Sequence, residues 1–176
     1  MKTIRIVGFA AAAAALFTAA PASARAQSKL DDPTIVAIFD AANTWDMETS
    51  ALAEKKGTTK EVRDLGKMFV RDHRMVRQQG RDLAKKLHVT PTPPKDFAMA
   101  KDHAATMKKL RGLSGKAFDK AYLENEVAYH KAVIDAVNTT LLPALKNAEV
   151  KDLVTKVAPA FKAHQDAAQN LLNKQK

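Results

Sequence analysis

The stretch Asn125–Val137, NEVAYHKAVIDAV, carries the fold and the problem together. Read outward in both directions, Phe118, Tyr122, Glu126, His130, Val133, Val137 and Leu141 recur at spacings of three and four, the signature of one helical face turned to a core. Glu126 and His130 belong to that inward row. A carboxyl and an imidazole on a core face need a partner, because a buried polar group left unsatisfied is costly. They can pair with each other, act together in catalysis, or bind a metal.

The rest of the chain reads in the same way, as helices with clear start and stop signals. A first helix has Asp32 as its N-cap and Pro33 at its first position, and closes on Lys55, Lys56 and Gly57. Thr58 and Glu61 form a capping box for a second helix carrying Leu65, Phe69, His73, Val76, Leu83 and Leu87. That helix ends before HVTPTPPKD (88–96), whose prolines forbid continuation. A shorter helical piece, FAMAKDHAATMKKLRGL (97–113), precedes Ser114, which caps the third long helix; Pro143 stops it. Asn147 caps the fourth, with Leu153, Val157, Phe161, His164, Ala168 and Leu171 inward. No run alternates with period two over a useful length. The pattern predicts an all-α, up-down four-helix bundle in one domain, with a short extra helix between helices two and three. Short connections at Gly57 and at 143–147 make helices one and two, and three and four, antiparallel hairpins.

Residues 1–26 are set apart from this domain. Lys2 and Arg5 precede the apolar run IVGFAAAAAALFTAA, and PASARA supplies small residues at signal-peptidase spacing. The expectation is a cleaved signal peptide, a domain over 27–176, and a periplasmic protein without a lipid anchor or an integral membrane segment. The chain has no cysteine, which excludes disulfides, thiolate metal sites and cysteine nucleophiles. Of the net charge of +10, Lys2, Arg5 and Arg25 supply three, leaving +7 on the domain. The basic residues are scattered among acids along helical faces, so the reading is a solvated surface suited to an anionic envelope, with no nucleic-acid partner.

His73, His130 and His164 each occupy an inward position on a different long helix, 15, 16 and 17 residues beyond Thr58, Ser114 and Asn147. At about 1.5 Å per residue all three sit roughly 23 to 26 Å along their helices, close to mid-bundle. Bundles build metal sites there from side chains on facing helices. On the first helix Asp46 falls within the arc of Ile35, Ile38, Phe39, Ala42, Trp45, Thr49, Leu52 and Ala53, whereas Glu48 lies to one side. The candidate metal set is therefore His73, His130, His164, Glu126 and Asp46, and an N-rich set with hard carboxylates suits Zn, Cu, Ni or Fe.

The plainer reading treats each histidine as a core residue with one hydrogen bond, and Glu126 with His130 as a buried pair. His103 reads as structural, His88 as a cation at a helix C-terminus, and Asp72 as pointing away from the inward row. Tyr122, one turn before Glu126, is placed to donate to that carboxyl or simply to pack. Glycine-rich phosphate loops, G-x-S-x-G and H-E-x-x-H are absent. Val70, Val127 and Phe161 stand three residues before the histidines, so the Glu-x-x-His pairs of di-iron bundles are absent too.

Three segments, LAEKKGTTKEVRDLGKMFVRDH (52–73), LSGKAFDKAYLENEVAYHKAVID (113–135) and VAPAFKAHQDAA (157–168), resemble the exported bacterial family called domain of unknown function 4142. The resemblance spans about residues 33 to 172. It implies a ferritin-like four-helix bundle and places family histidines on His73, His130 and His164. The family's acid falls on Asp46, where glutamate is the commoner residue, and its Met-Val pair is here Phe69-Val70. It does not imply an activity. Three function classes stand: an exported metal-binding bundle for envelope stress or metal handling, a metal-free envelope protein with a buried His/Glu network, and an enzyme with an open metal position. The last needs a cleft that nothing in the sequence announces.

Overall fold

Helix α1 (Asp32–Lys56) is capped by Asp31, whose carboxylate accepts the Thr34 N–H at 3.0 Å. The expectation of Asp32 as cap is off by one residue, and the reason is tertiary. Asp32 accepts the backbone N–H groups of Lys146 and Asn147, both at 2.9 Å, and so ties the start of the first helix to the last loop. Helix α2 (Lys60–Lys86) is likewise capped by Thr59, which accepts from Val62 at 3.2 Å, and not by Thr58. Thr58 instead donates its N–H at 3.0 Å and its hydroxyl to the Asp119 carboxylate. That buried acid, near the start of the third long helix, needs donors, and the α1–α2 corner provides them.

The structure, a computed structural model, describes residues 30–95 and 97–175. The expected leader, 1–26, lies outside them. After α2 come α3 (Ala98–Gly112), α4 (Gly115–Ala136), a π-helical turn (Val137–Leu141) that runs straight on into the short α5 (Leu142–Ala144), and α6 (Ala148–Asn173). Ser114 holds the N-cap position of α4 without a side-chain bond, whereas Asn147 accepts from Glu149 and Val150 as expected. There is no strand among the described residues.

Three contacts fix the topology. Thr92 N–H donates to the Pro33 carbonyl at 3.2 Å, placing the proline-rich connection at the start of α1. The Lys56 ammonium, at the far end of α1, donates to the carbonyls of Leu110 and Arg111 at 3.1 and 2.9 Å, so α3 runs alongside α1. Lys86 pairs with Glu149, joining the end of α2 to the start of α6. Helices α1 and α6 therefore point one way, and α2 and α4 the other. The seams α1–α2, α1–α4, α2–α6 and α4–α6 are all antiparallel, with α3 as the crossover. The two expected hairpins are present.

The core divides into two apolar clusters. Ile35, Phe39, Val137, Leu141, Val154 and Phe161 fill one end. Val62, Phe69, Leu110, Phe118, Tyr122 and Leu123 fill the other. Between them lies a layer of buried polar side chains. Gly66 lets α1 and α2 come together beside that layer: a Cβ there would stand 2.6 Å from the Ser50 carbonyl oxygen and 2.8 Å from the Glu54 nitrogen. Backbone cannot yield as a side-chain tip can. Gly66→Ala is expected to destabilise by about 1 to 3 kcal/mol, as overpacking does, lowering the thermal midpoint by roughly 2 to 4 °C per kcal/mol in a domain of this size. Gly112→Ala, with nothing within 4 Å, is the control and should leave the midpoint unchanged or slightly raised.

Candidate metal centre

The polar layer is built by four helices. Asp46 comes from α1, His73 from α2, Glu126 and His130 from α4, and His164 from α6, at exposures of 1, 4, 0, 1 and 5% respectively. All five sequence candidates thus meet in one place. Ligand-capable atoms of His73, His130 and His164 lie within 4.8 Å of one another, as do those of Asp46, Glu126 and His130.

Hydrogen bonds fix the tautomer of each ring. His130 Nδ1 lies 2.9 Å from the Glu126 backbone carbonyl, which can only accept, so Nδ1 carries the proton. His73 Nδ1 lies 2.9 Å from Asn43 Oδ1, and Asn43 spends its amide donor on the Phe39 carbonyl at 2.8 Å. His73 Nδ1 is therefore the donor as well. His164 Nε2 lies 3.2 Å from Asp72 Oδ2 and donates to it. Partial burial alone would raise the Asp72 pKa, but hydrogen bonds from Arg71 and His164 hold it below the usual carboxylate value, so it is an acceptor. With the outer nitrogens so committed, His73 Nε2 and His130 Nε2 turn lone pairs into the layer, and His164 Nδ1 does so in the neutral ring.

Those lone pairs face each other and Asp46. His164 Nδ1 stands 3.2 Å from His73 Nε2, within hydrogen-bonding distance; because His73 keeps its proton on Nδ1, any proton shared between the two rings belongs to His164, and without it two lone pairs face each other. Asp46 Oδ1 is 3.4 Å from His73 Nε2, and its Oδ2 is 3.5 Å from His130 Nε2. His130 Nε2, Asp46 Oδ2 and Glu126 Oε2 are buried without a hydrogen-bond partner. Burial lowers the pKa of His73 to about 3, helped by the neighbouring His164, and that of His130 to about 4. Protonating His73 or His130 is thus a poor way to relieve the facing acceptors.

The two carboxyls have different surroundings. Glu126 accepts the Thr49 hydroxyl at 2.9 Å and the Asn125 amide at 3.2 Å, both on Oε1. Burial, then the adjacent Asp46, pushes its pKa well above the ordinary value. A neutral Glu126 can donate toward Asp46, an interaction that opposes the effect of burial on the Asp46 carboxylate. Burial also raises Asp46, opposed by His130. Ser50 donates to Asp46 Oδ1 at 3.2 Å and meets the Tyr122 hydroxyl at 3.1 Å. Tyr122 therefore serves Ser50, not Glu126.

Two members of the cluster escaped the sequence reading. Asp72 does not point away: it sits at the edge of the α2 face and reaches across the α2–α6 seam to His164. Residues adjacent on a helix stand about 100° apart, so the neighbour of an inward histidine can border its row. Asn43 was missed, although Asn43, Asp46 and Ser50 lie on one helical face at spacings of three and four, a signal present in the sequence. His103 lies outside the layer: it holds Glu48 Oε2 at 2.7 Å and stacks on Trp45, ring centroids 5.5 Å apart. His88 is exposed just past α2, with φ +54°, and takes no part.

Comparison with known proteins agrees with this architecture. The crystal structure of a DUF305 fragment from Deinococcus radiodurans superposes with a TM-score of 0.71 at 14% identity, over 81% of this chain and 95% of that one. At that identity the likeness is one of fold. No curated protein matches the sequence. The family model described as "Domain of unknown function (DUF4142)" matches residues 17–171, and this helical bundle belongs to that family.

Proposed function

We propose that this protein is an exported metal-binding bundle that acts in metal handling or envelope stress. One metal ion would be held by His73 Nε2, His130 Nε2, His164 Nδ1 and an Asp46 oxygen, with Glu126 orienting Asp46. The observation that carries the reading is the tautomer set. Each imidazole spends its proton on an outer acceptor (Asn43, the Glu126 carbonyl, Asp72), which is how metal-binding histidines are fixed and made more basic.

The distances favour a coordination geometry. Four ligands at 2.0–2.1 Å from a tetrahedral ion stand about 3.3 Å apart, whereas adjacent ligands of an octahedral ion with similar bonds stand about 2.9 Å apart. Two observed separations suit the tetrahedron, 3.2 Å between His164 Nδ1 and His73 Nε2 and 3.4 Å between His73 Nε2 and Asp46 Oδ1, while His130 Nε2 faces the second Asp46 oxygen at 3.5 Å. Among Zn, Cu, Ni and Fe, a closed N3O tetrahedron suits zinc best. A site with four protein ligands in a buried layer suits storage, sensing or stabilisation better than open-site catalysis.

Location is proposed on the leader alone. An exported form beginning at Gln27, read by N-terminal mass spectrometry of the periplasmic fraction, is the expected result; an intact Met1 there would refute it. No described helix is long and apolar enough to cross a membrane. The metal reading is tested by elemental analysis of untagged protein purified from the periplasm, where about one equivalent of a transition metal per chain is expected. A metal-free preparation that also refuses added Zn, Cu, Ni and Fe would leave the layer a structural polar network.

A further inference from the structure

The layer is sealed along the bundle axis by the two apolar clusters, so an ion must reach it from the side. Two cavities approach it. One, of about 130 Å³, touches His73 and His130 but is walled by Ile38, Val133, Val137, Leu141 and Phe161. A hydrated cation entering there would shed water against apolar walls with no carboxylate lining the way. The other, of about 250 Å³, lies between α1, α3 and α4. Asp46 and Thr49 line it, and Met99, Asp102 and His103 stand around it.

We infer that this second cavity is the loading port for a divalent transition-metal ion, with His103 and Glu48 as its first ligands and Asp46 as the residue that receives the ion. The inference rests on the metal reading above. His103 Nε2 and Glu48 Oε2 are 2.7 Å apart, and their side chains are 13 and 50% exposed, so the pair is both preassembled and reachable. Asp46, whose Oδ2 is buried without a hydrogen-bond partner, lines the same cavity. For an ion to bind at the mouth, the His103 Nε2 proton moves to Nδ1 or leaves to water, because a ligating imidazole nitrogen must offer its lone pair. Passing the ion inward to Asp46 lets that proton return. The outer pair holds an ion with two side chains and the inner set with four, so transfer runs downhill.

Trp45, the chain's single tryptophan, lines the cavity and stacks on His103 with an interplanar angle of 18°. Its fluorescence therefore reports the port. Metal-free protein mixed with Co(II) in a stopped-flow instrument is expected to quench in two phases, a fast one at the mouth and a slow one as the centre fills. In the double variant Glu48→Gln/His103→Ala the fast phase should vanish and filling should slow at least tenfold, with the final metal content per chain unchanged. Ala128→Leu narrows this cavity without removing a ligand and should also slow filling. Ala136→Leu occupies the apolar cavity and should leave the rate as in wild type.

Unchanged filling in both the double variant and Ala128→Leu, or slowing confined to Ala136→Leu, would overturn the port while leaving the centre intact. A wild-type protein that takes up no metal at equilibrium would overturn both. The end-point metal content shows that each variant still folds around its centre, which separates slow loading from a damaged bundle.

Discussion

Metal-stripped wild-type protein titrated calorimetrically with Zn, Cu, Ni and Fe is expected to bind one equivalent of at least zinc tightly, and His130→Ala is expected to bind none measurably. His130 is 1% exposed, its Nδ1 proton is committed to the Glu126 carbonyl, and its Nε2 faces Asp46. Losing one of four ligands should weaken binding on the order of 1,000-fold or more, about 4 kcal/mol. The exposed His88 stands outside the layer, and His88→Ala should bind as wild type does. Asp72→Asn, which leaves all four ligands in place but removes the charged acceptor of His164, should weaken binding by roughly 10- to 100-fold, the usual effect of removing a supporting partner. Wild-type protein that binds none of the four metals better than micromolar would sink the centre altogether.

Asp46→Asn should change stability with opposite signs in the stripped and loaded protein. In the stripped protein Asp46 is a fully buried acid among acceptors, with burial disfavouring its charge. Replacing it with an amide removes a desolvated charge and supplies donors to Glu126 or His130, a gain of about 1 to 3 kcal/mol. In the loaded protein the same change removes the one anionic ligand. Zinc at 1,000 times its dissociation constant contributes about 4 kcal/mol to stability, and most of this should be lost. The thermal midpoints with chelator and with zinc should therefore cross: the variant melts higher than wild type in chelator and lower in zinc. A variant less stable under both conditions would identify Asp46 as a structural carboxylate that the bundle needs without metal.

These outcomes bear on why the layer is polar at all. Two apolar clusters already bury the ends of the bundle, and an apolar middle would join them into one core. Asp46, Glu126 and three histidines interrupt that core, with Thr49, Ser50 and Asn43 recruited to hold them. Breaking a buried polar group's partnership is destabilising, whereas replacing a whole buried network by well-packed apolar residues is often neutral or better. Such an arrangement is poor value for stability and good preparation for a ligand.

The periodicity of apolar residues was enough to place the four long helices, their hairpins and the inward rows, because a helix face is a local property repeated every 3.6 residues. It also placed Asp46, His73, Glu126, His130 and His164 at one depth, since rise per residue is constant and their caps are legible. Caps one residue off and the true partners of Asp72, Tyr122 and Thr58 were decided only by packing. Asp32 and Thr58 both have cap-forming side chains, yet tertiary contacts with the 146–147 backbone and with Asp119 claimed them. The direction of α4 is equally non-local: it depends on α3 running back along α1, which Lys56 secures by bonding to the carbonyls at the end of α3. Above all, the tautomer of each histidine lies outside the reach of sequence. Which nitrogen keeps its proton depends on acceptors contributed by Asn43 across the α1–α2 seam and Asp72 across the α2–α6 seam, and only the assembled bundle brings them within hydrogen-bonding distance.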